Sequence, residues 1–173
     1  MDFELKELIS EHLIEFKKSM QEAFQKSAEE GNVSSEFEVL PESHIDRNLC
    51  EPGAVAYEDF VDGQAIAGAI VTIDVVTKHN HLDFLFVKYG TQSKGVGQKI
   101  WNAIEQKYPD TKVWETCTPY FEKRNIHFYV NRCGFHIVEF YNKNHPDPND
   151  TDECMDEEYF DGMFRFEKIM RQE

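Results

Sequence analysis

Gln92-Ser93-Lys94-Gly95-Val96-Gly97 is the stretch of sequence that decides the fold of this 173-residue chain. It stands between a predicted strand that ends at Val87 and an amphipathic helix that begins near Val96. The two glycines let the backbone turn sharply and direct several N–H groups at one point. At a helix N-terminus such groups favour a phosphate or pyrophosphate. The segment predicts an anion site, although its glycines could also serve only tight packing of strand against helix.

The glycine spacing matches neither of the two common nucleotide-binding motifs. A Walker loop needs G-x-x-x-x-G-K-[ST], and the dinucleotide fingerprint needs a third glycine. Lys94 would add local positive charge to an anion site in a chain whose formal net charge is -15.

Hydrophobic periodicity outside this segment predicts antiparallel strands followed by alternating helices and strands. Within strand 81–87, the alternation predicts Leu82, Phe84 and Phe86 on one face of the sheet. His81, Asp83, Leu85 and Val87 are predicted on the other. The predicted elements in chain order are a strand over 3–8, helices over 10–30 and 41–50, strands over 54–60, 64–77 and 81–87, a helix over 96–108, a strand over 112–118, a helix over 122–132, and strands over 135–141 and 163–169.

Composition and charge limit the partners and the cellular location that we expect for this protein. The net charge of -15 makes nucleic acid a poor partner, because a negative field repels a phosphate backbone. The sequence contains neither an apolar run long enough to span a membrane nor the layout of a signal peptide, so we expect a cytoplasmic protein without a membrane partner. Reduced thiols are expected at the four scattered cysteines, Cys50, Cys117, Cys133 and Cys154.

Two motifs in this order closely resemble the GNAT acetyltransferase superfamily. Leu85-Phe86-Val87, a short turn and then residues 92–97 are similar to its signature Q/R-x-x-G-x-G/A. The run Asn125-Ile126-His127-Phe128-Tyr129, followed by Cys133-Gly134-Phe135, resembles its second motif. The resemblance covers residues 53–140. It implies an α/β (α+β) fold, with a mixed and mostly antiparallel sheet of about seven strands flanked by about four helices, in one domain over residues 1–173.

The resemblance implies an N-acetyltransferase that uses acetyl-coenzyme A (acetyl-CoA) as cosubstrate and needs no metal. Backbone groups of Leu85, Phe86 and Val87 would pair with the pantetheine arm, and a backbone N–H near Val87 would bind the oxyanion of the thioester. The coenzyme pyrophosphate would lie against the loop and first helical turn made by Gln92, Ser93, Lys94, Gly95, Val96, Gly97 and Gln98.

Tyr129 is the candidate general acid, because a phenol can protonate a departing thiolate without being ionised at neutral pH. Five residue steps separate Tyr129 from Gly134, where relatives commonly have four, so its helical phase would differ by about 100°. The alternative role is a core aromatic paired with Phe128. Asn125 is a candidate coenzyme ligand, although the asparagine of the family lies about seven residues before the tyrosine, where this chain has Glu122.

His81 and Asp83 are the candidate general bases, since each could accept a proton through water from the acceptor amine. The alternative is that residues 79–81 form only a polar turn. A metal cluster of His79, His81 and Asp83 is disfavoured, because three ligands on one short extended segment cannot readily surround an ion.

Eight carboxylates crowd into the segment 144–161, which in this family often borders the acceptor pocket. Such a rim would attract a cationic amine, although carboxylate runs more often form a solvated loop. Two other functions stay open: a non-catalytic sensor module that binds acyl-CoA, and an acidic protein that docks a basic partner. The resemblance also allows for a homodimer.

Overall fold

The computed structural model describes residues 2–30, 38–91, 95–148 and 162–170. Gln92, Ser93 and Lys94, and residues 149–161 of the acidic segment, lie outside the described residues. The strands in the described part are β1 (Phe3–Glu7), β2 (Ala54–Val61), β3 (Gln64–Thr72), β4 (His79–Val87), β5 (Val113–Pro119), β6 (His136–Tyr141) and β7 (Met163–Ile169). The α-helices there are α1 (Leu13–Glu30), α2 (Glu42–Leu49), α3 (Val96–Lys107) and α4 (Lys123–His127), and a π-helical turn over Phe128–Arg132 continues α4.

These seven strands form one sheet in the order β1-β2-β3-β4-β5-β7-β6. All neighbours pair antiparallel except β4 and β5, which are parallel. The predicted mixed sheet of about seven strands with about four helices is confirmed.

Two apolar layers cover the two faces of the sheet. The larger contains Trp101 of α3, Trp114 of β5 and Phe166 of β7. The other contains Met20 of α1 and Ile45 of α2. A Cβ at Gly68 of β3 would lie 2.6 Å from the ring of Phe16, which explains why a glycine is needed where α1 crosses the sheet.

A β-bulge at Asp83 divides β4. Ile70 of β3 pairs with Phe84 and Val71 pairs with Leu82, so Asp83 is the extra residue. As a result Leu82 packs in the layer of Trp114, whereas Phe84 and Phe86 pack under α1. The predicted common face of Leu82, Phe84 and Phe86 is therefore wrong, because one inserted residue reverses the alternation of a strand.

The predicted strand 64–77 is too long, because β3 ends at Thr72 and the chain turns at Asp74. The Oδ1 atom of Asp74 accepts the N–H groups of Val76 at 2.9 Å and of Thr77 at 3.0 Å. An aspartate that bonds the backbone two and three residues ahead forms a turn. Cys50, Cys117 and Cys133 are free thiols, and Cys154 lies outside the described residues.

Candidate active site

A cleft opens where β4 and β5 diverge. The two strands pair only from His79–Val113 to His81–Glu115. Beyond the last pair, the Thr116 hydroxyl donates to the carbonyl oxygen of Leu82 at 2.9 Å. The walls of the cleft include Phe24 and Ser27 of α1, Leu85, Phe86 and Val87 of β4, Gly97 of α3, and Asn125, Phe128 and Tyr129 from α4 and the π-turn.

The edge of β4 that faces the cleft presents backbone groups. Beyond the bulge, Lys88 donates its N–H to the carbonyl oxygen of Ile66 of β3 at 2.7 Å, so the backbone groups of Lys88 point toward β3. Since alternate residues of an antiparallel strand direct their backbone groups to opposite edges, those of Leu85 and Val87 point away from β3, into the gap. An extended ligand in the cleft could add to β4 as a strand does.

Gly95 directly precedes α3, with φ of +91°, a conformation that other residues rarely adopt. Gly97 lies in the cleft wall, where an added Cβ would be 3.3 Å from the ring of Phe128. Val96 is buried in the larger core layer. Gln98 donates its amide to the carbonyl oxygen of Arg132 at 2.7 Å, so its side chain ties α3 to the π-turn rather than lining the cleft.

Tyr129 lies in the cleft wall with only 8% of its surface exposed. Its ring contacts Phe135 and Phe166, at centroid distances of 5.6 and 5.7 Å. Burial raises the pKa of the Tyr129 phenol well above its ordinary value, while a hydrogen bond with Thr116 opposes the rise. The phenol is therefore a neutral proton donor. The ring of Tyr129 is also packed in the core, which agrees with the alternative role of a core aromatic.

The π-turn accounts for the extra residue between Tyr129 and Gly134. Cys133 donates its N–H to the carbonyl oxygen of Phe128, five residues earlier, at 3.0 Å. A single π-turn accommodates one inserted residue within a helix. The expected 100° change of phase does not carry Tyr129 out of the cleft, because the insertion is absorbed after it.

Asn125 lies in the cleft wall, and its amide nitrogen is 3.4 Å from the hydroxyl oxygen of Thr118. Glu122, at the position of the family's asparagine, is buried and accepts a hydrogen bond from Ser27 of α1 at 3.0 Å. Burial raises the pKa of Glu122. Glu122 therefore joins the start of α4 to α1 at the rim of the cleft.

His81 and Asp83 lie beside the divergence, on the face opposite Leu82 and Trp114. The His81 Nε2 atom is 3.0 Å from Oε2 of Glu115, and this hydrogen bond raises the pKa of His81. Asp83 accepts the Thr72 hydroxyl at 2.6 Å, and burial raises its pKa to about 6. Neither residue is part of the cleft wall described above.

A polar network continues from Glu115 across β7 to β6. The Nη1 atom of Arg165 is 3.0 Å from Glu115 and 2.6 Å from Glu167, and its Nε is 3.1 Å from Glu139. His145 is 2.7 Å from Glu139. Sequence reasoning missed Glu115 and Arg165, because alternation indicates the face on which a strand residue lies but not its cross-strand partner.

Among the described ranges, no group of three or more His, Cys, Asp and Glu side chains is arranged to hold a metal ion. No helix in those ranges has the length and apolar character needed to cross a membrane.

Comparison with known proteins agrees with this geometry. The model of the acetyltransferase (GNAT) family matches residues 15–135. The chain is 45% identical over 167 residues to YrkN of Bacillus subtilis strain 168, an uncharacterised protein, with 92% of this chain and 89% of YrkN covered.

Two solved structures share the fold at low identity. A GNAT family acetyltransferase from Elizabethkingia anophelis with acetyl-CoA bound aligns with a TM-score of 0.69 at 13% identity, over 97% of this chain and 98% of that one. Spermidine N-acetyltransferase from Vibrio cholerae in complex with CoA and spermine aligns with a TM-score of 0.69 at 10% identity, over 96% and 95%. At such identities the likeness shows the fold alone.

Proposed function

This chain belongs to the GNAT acetyltransferase family, and from that premise we propose that it transfers an acetyl group from acetyl-CoA directly to a primary amine that is cationic in solution. One observation carries the proposal: the cleft at the divergence of β4 and β5 combines a free strand edge at Leu85 and Val87 with the neutral phenol of Tyr129. A strand edge suits the amide-bearing pantetheine arm, and a phenol suits a departing thiolate.

The described residues fit acetyl-CoA as cosubstrate. Leu85 and Val87 would hold the pantetheine through backbone hydrogen bonds, and the N–H of Val87 would be available to the thioester oxygen. Gly95 and the first turn of α3 would meet the pyrophosphate, whose charge suits a helix N-terminus. Asn125 would contribute an amide from the opposite wall. The proposed contribution of Gln92, Ser93 and Lys94 stays a prediction.

The reaction requires two proton transfers that side chains of this protein would assist. The acceptor arrives as an ammonium ion, so one proton must pass through a base to solvent before nitrogen attacks the thioester carbonyl; His81 and Asp83 are the candidates. The second proton leaves nitrogen as the C–S bond breaks, and Tyr129 would supply the proton that converts the thiolate to free CoA. Tyr129 would then recover its proton from the acetylated nitrogen.

The charge of the face around His81 supports a cationic acceptor. Among the described residues of this face, four carboxyl groups outnumber the guanidinium of Arg165: those of Asp83, Glu115, Glu139 and Glu167. The excess negative charge would raise the local concentration of an ammonium ion. The spermidine N-acetyltransferase of Vibrio cholerae is one family member whose structure contains a polyamine, spermine.

A matched series of amines tests this function. Thiol release from acetyl-CoA is measured with spermidine and putrescine, with a lysine peptide, and with small primary amines whose second charge is replaced by a hydroxyl. We expect kcat/KM to be highest for the acceptors with two or more charges, and the preference to shrink as salt is raised. Equal rates with the hydroxyl analogues would contradict the cationic class, and binding of acetyl-CoA without release would favour the sensor module.

The organisation as one domain, the cytoplasmic location and a homodimer remain predictions. Sedimentation of the purified chain would decide its oligomeric state.

A further inference from the structure

One of the two candidate bases, His81, has a partner on the neighbouring strand. His81 and Glu115 form the last residue pair before β4 and β5 separate. Leu82 and Trp114, their neighbours in sequence, both lie in the larger core layer, so His81 and Glu115 project from the opposite face. Their side chains meet there, with 3.0 Å between Nε2 of His81 and Oε2 of Glu115.

Glu115 is itself held in place. Its second oxygen, Oε1, accepts the Nη1 group of Arg165 at 3.0 Å. Arg165 is fixed in turn by Glu167 on its own strand and by Glu139 on β6. A carboxylate that is anchored at one oxygen presents the other in a constant direction.

Resting on the function proposed above, we propose that Glu115 is a positioning residue, which accepts the Nε2 proton of His81 and so leaves Nδ1 as the acceptor of the proton from the amine. In a neutral imidazole only one nitrogen carries hydrogen, and the partner of that nitrogen selects the tautomer. The His81 side chain is 48% exposed, so water or an amine can reach the ring.

The other charged groups that face His81 do not compete for this role. Asp83 of β4 is near enough to favour the imidazolium, but its carboxylate is engaged by the Thr72 hydroxyl of β3. Arg165 of β7 opposes the imidazolium. Of these groups, Glu115 makes the hydrogen bond to the ring and has the largest effect on its pKa, which it raises.

Glu115→Gln tests the assignment, with Glu105→Gln as the matched control, because Glu105 is also a partly buried carboxylate in an ion pair, with Lys168, but lies outside the network of His81 and Arg165. We expect Glu115→Gln to move the acidic limb of the kcat/KM profile to lower pH by about one pH unit. Maximal kcat should fall about tenfold, and KM for acetyl-CoA should stay within about twofold. In Glu105→Gln the acidic limb should stay in place.

An NMR titration of the His81 ring gives a readout that does not depend on turnover. The His81 pKa should fall in Glu115→Gln and stay unchanged in Glu105→Gln. An unmoved pKa and an unmoved acidic limb in Glu115→Gln, in a chain that still acetylates amines, would overturn this inference alone. Absence of transfer by the wild-type chain would overturn the proposed function, and this inference with it.

Discussion

The backbone N–H of Cys133 donates to the carbonyl oxygen of Phe128 at 3.0 Å, across five residues instead of the four of an α-helix. Phe128 and Tyr129 open this π-turn, and the chain leaves it at Gly134, where φ is +84°. The extra residue is therefore absorbed between Tyr129 and the strand that follows. Tyr129 keeps its place in the cleft wall because the helix before it is unaffected.

Deletion of Asn131 should convert the π-turn to an α-turn. Asn131 is exposed, and its side-chain amide nitrogen lies 2.8 Å from Nδ1 of His127. We expect the free energy of unfolding to change by no more than about 1 kcal/mol, and acetyl transfer to stay within about tenfold of the wild type. Chemical denaturation and thiol release measure the two quantities.

Deletion of the exposed Asn102 from α3 is the control. It would rotate Ile104 by about 100° relative to Trp101 within a regular helix, so it should destabilise the chain far more. Equal losses of stability in the two deletion variants would contradict the interpretation that the π-turn accommodates one extra residue.

Tyr129→Phe should separate catalysis from binding. The substitution removes only a hydroxyl, and the buried ring keeps its contacts with Phe135 and Phe166. We expect kcat to fall about 100-fold, because the proton for the thiolate is lost, while the Kd for acetyl-CoA stays within about twofold. Steady-state kinetics and calorimetry check the two parts.

Tyr120→Phe is the matched control, because Tyr120 is 52% exposed and lies outside the cleft wall. Its kinetics should equal those of the wild type. Unchanged turnover in Tyr129→Phe would remove the phenol from the mechanism and leave it a core aromatic.

Gly95→Ala should weaken coenzyme binding through the backbone. Gly95 has φ of +91°, and Gly63 in the β2–β3 turn has φ of +82°. A Cβ at either position would meet no atom of the described residues within 4 Å. Alanine at either site should therefore cost a similar amount of stability, about 1 kcal/mol. We expect only Gly95→Ala to raise the Kd for acetyl-CoA, by about tenfold, because only Gly95 adjoins the proposed pyrophosphate site. Equal affinities in calorimetry would place the pyrophosphate elsewhere.

Asp59→Asn should stabilise the chain in a pH-dependent way. Asp59 is fully buried, and neither carboxyl oxygen has a hydrogen-bond partner in the described part of the chain. Burial raises the pKa of Asp59 to about 7, against an opposing effect of Lys99. An unfolded chain releases this proton near pH 4 and the folded chain only near pH 7, so wild-type stability falls as pH rises between these values.

The gain from Asp59→Asn in free energy of unfolding should be larger at pH 7.5 than at pH 5, by roughly 2 kcal/mol. Denaturant titrations at the two pH values measure it. Glu22→Gln, at an exposed carboxylate, controls for the loss of one negative charge. A gain that is independent of pH would show that Asp59 is ionised in the folded chain at both values.

The sequence was sufficient to predict the features that local pattern controls. The glycines at 95 and 97 indicate a helix N-terminus. The resemblance of the two motifs to the GNAT superfamily predicts the mixed sheet, and the structure has Leu85, Val87, Asn125 and Tyr129 in the walls of one cleft. The bulge at Asp83 escaped prediction, because an inserted residue is defined only by the pairing of β4 with β3.

The network around Glu115 escaped prediction for a related reason. Arg165 lies 50 residues from Glu115 along the chain, and the two meet because β7 is inserted between β5 and β6. No periodicity within one strand reports which strand will lie beside it. The acceptor amine cannot be predicted from the sequence for the same reason, because the side chains that would recognise it are brought together by such strand pairings.

The most direct test of the central claim mixes the purified chain with acetyl-CoA and a pool of cationic amines, and follows both products of one reaction. We predict free CoA and an acetylated amine in equal amounts, identified by thiol titration and mass spectrometry, with formation of both abolished by omitting the amines. Acetyl-CoA that binds the chain but is recovered intact after prolonged incubation with every amine would contradict the claim.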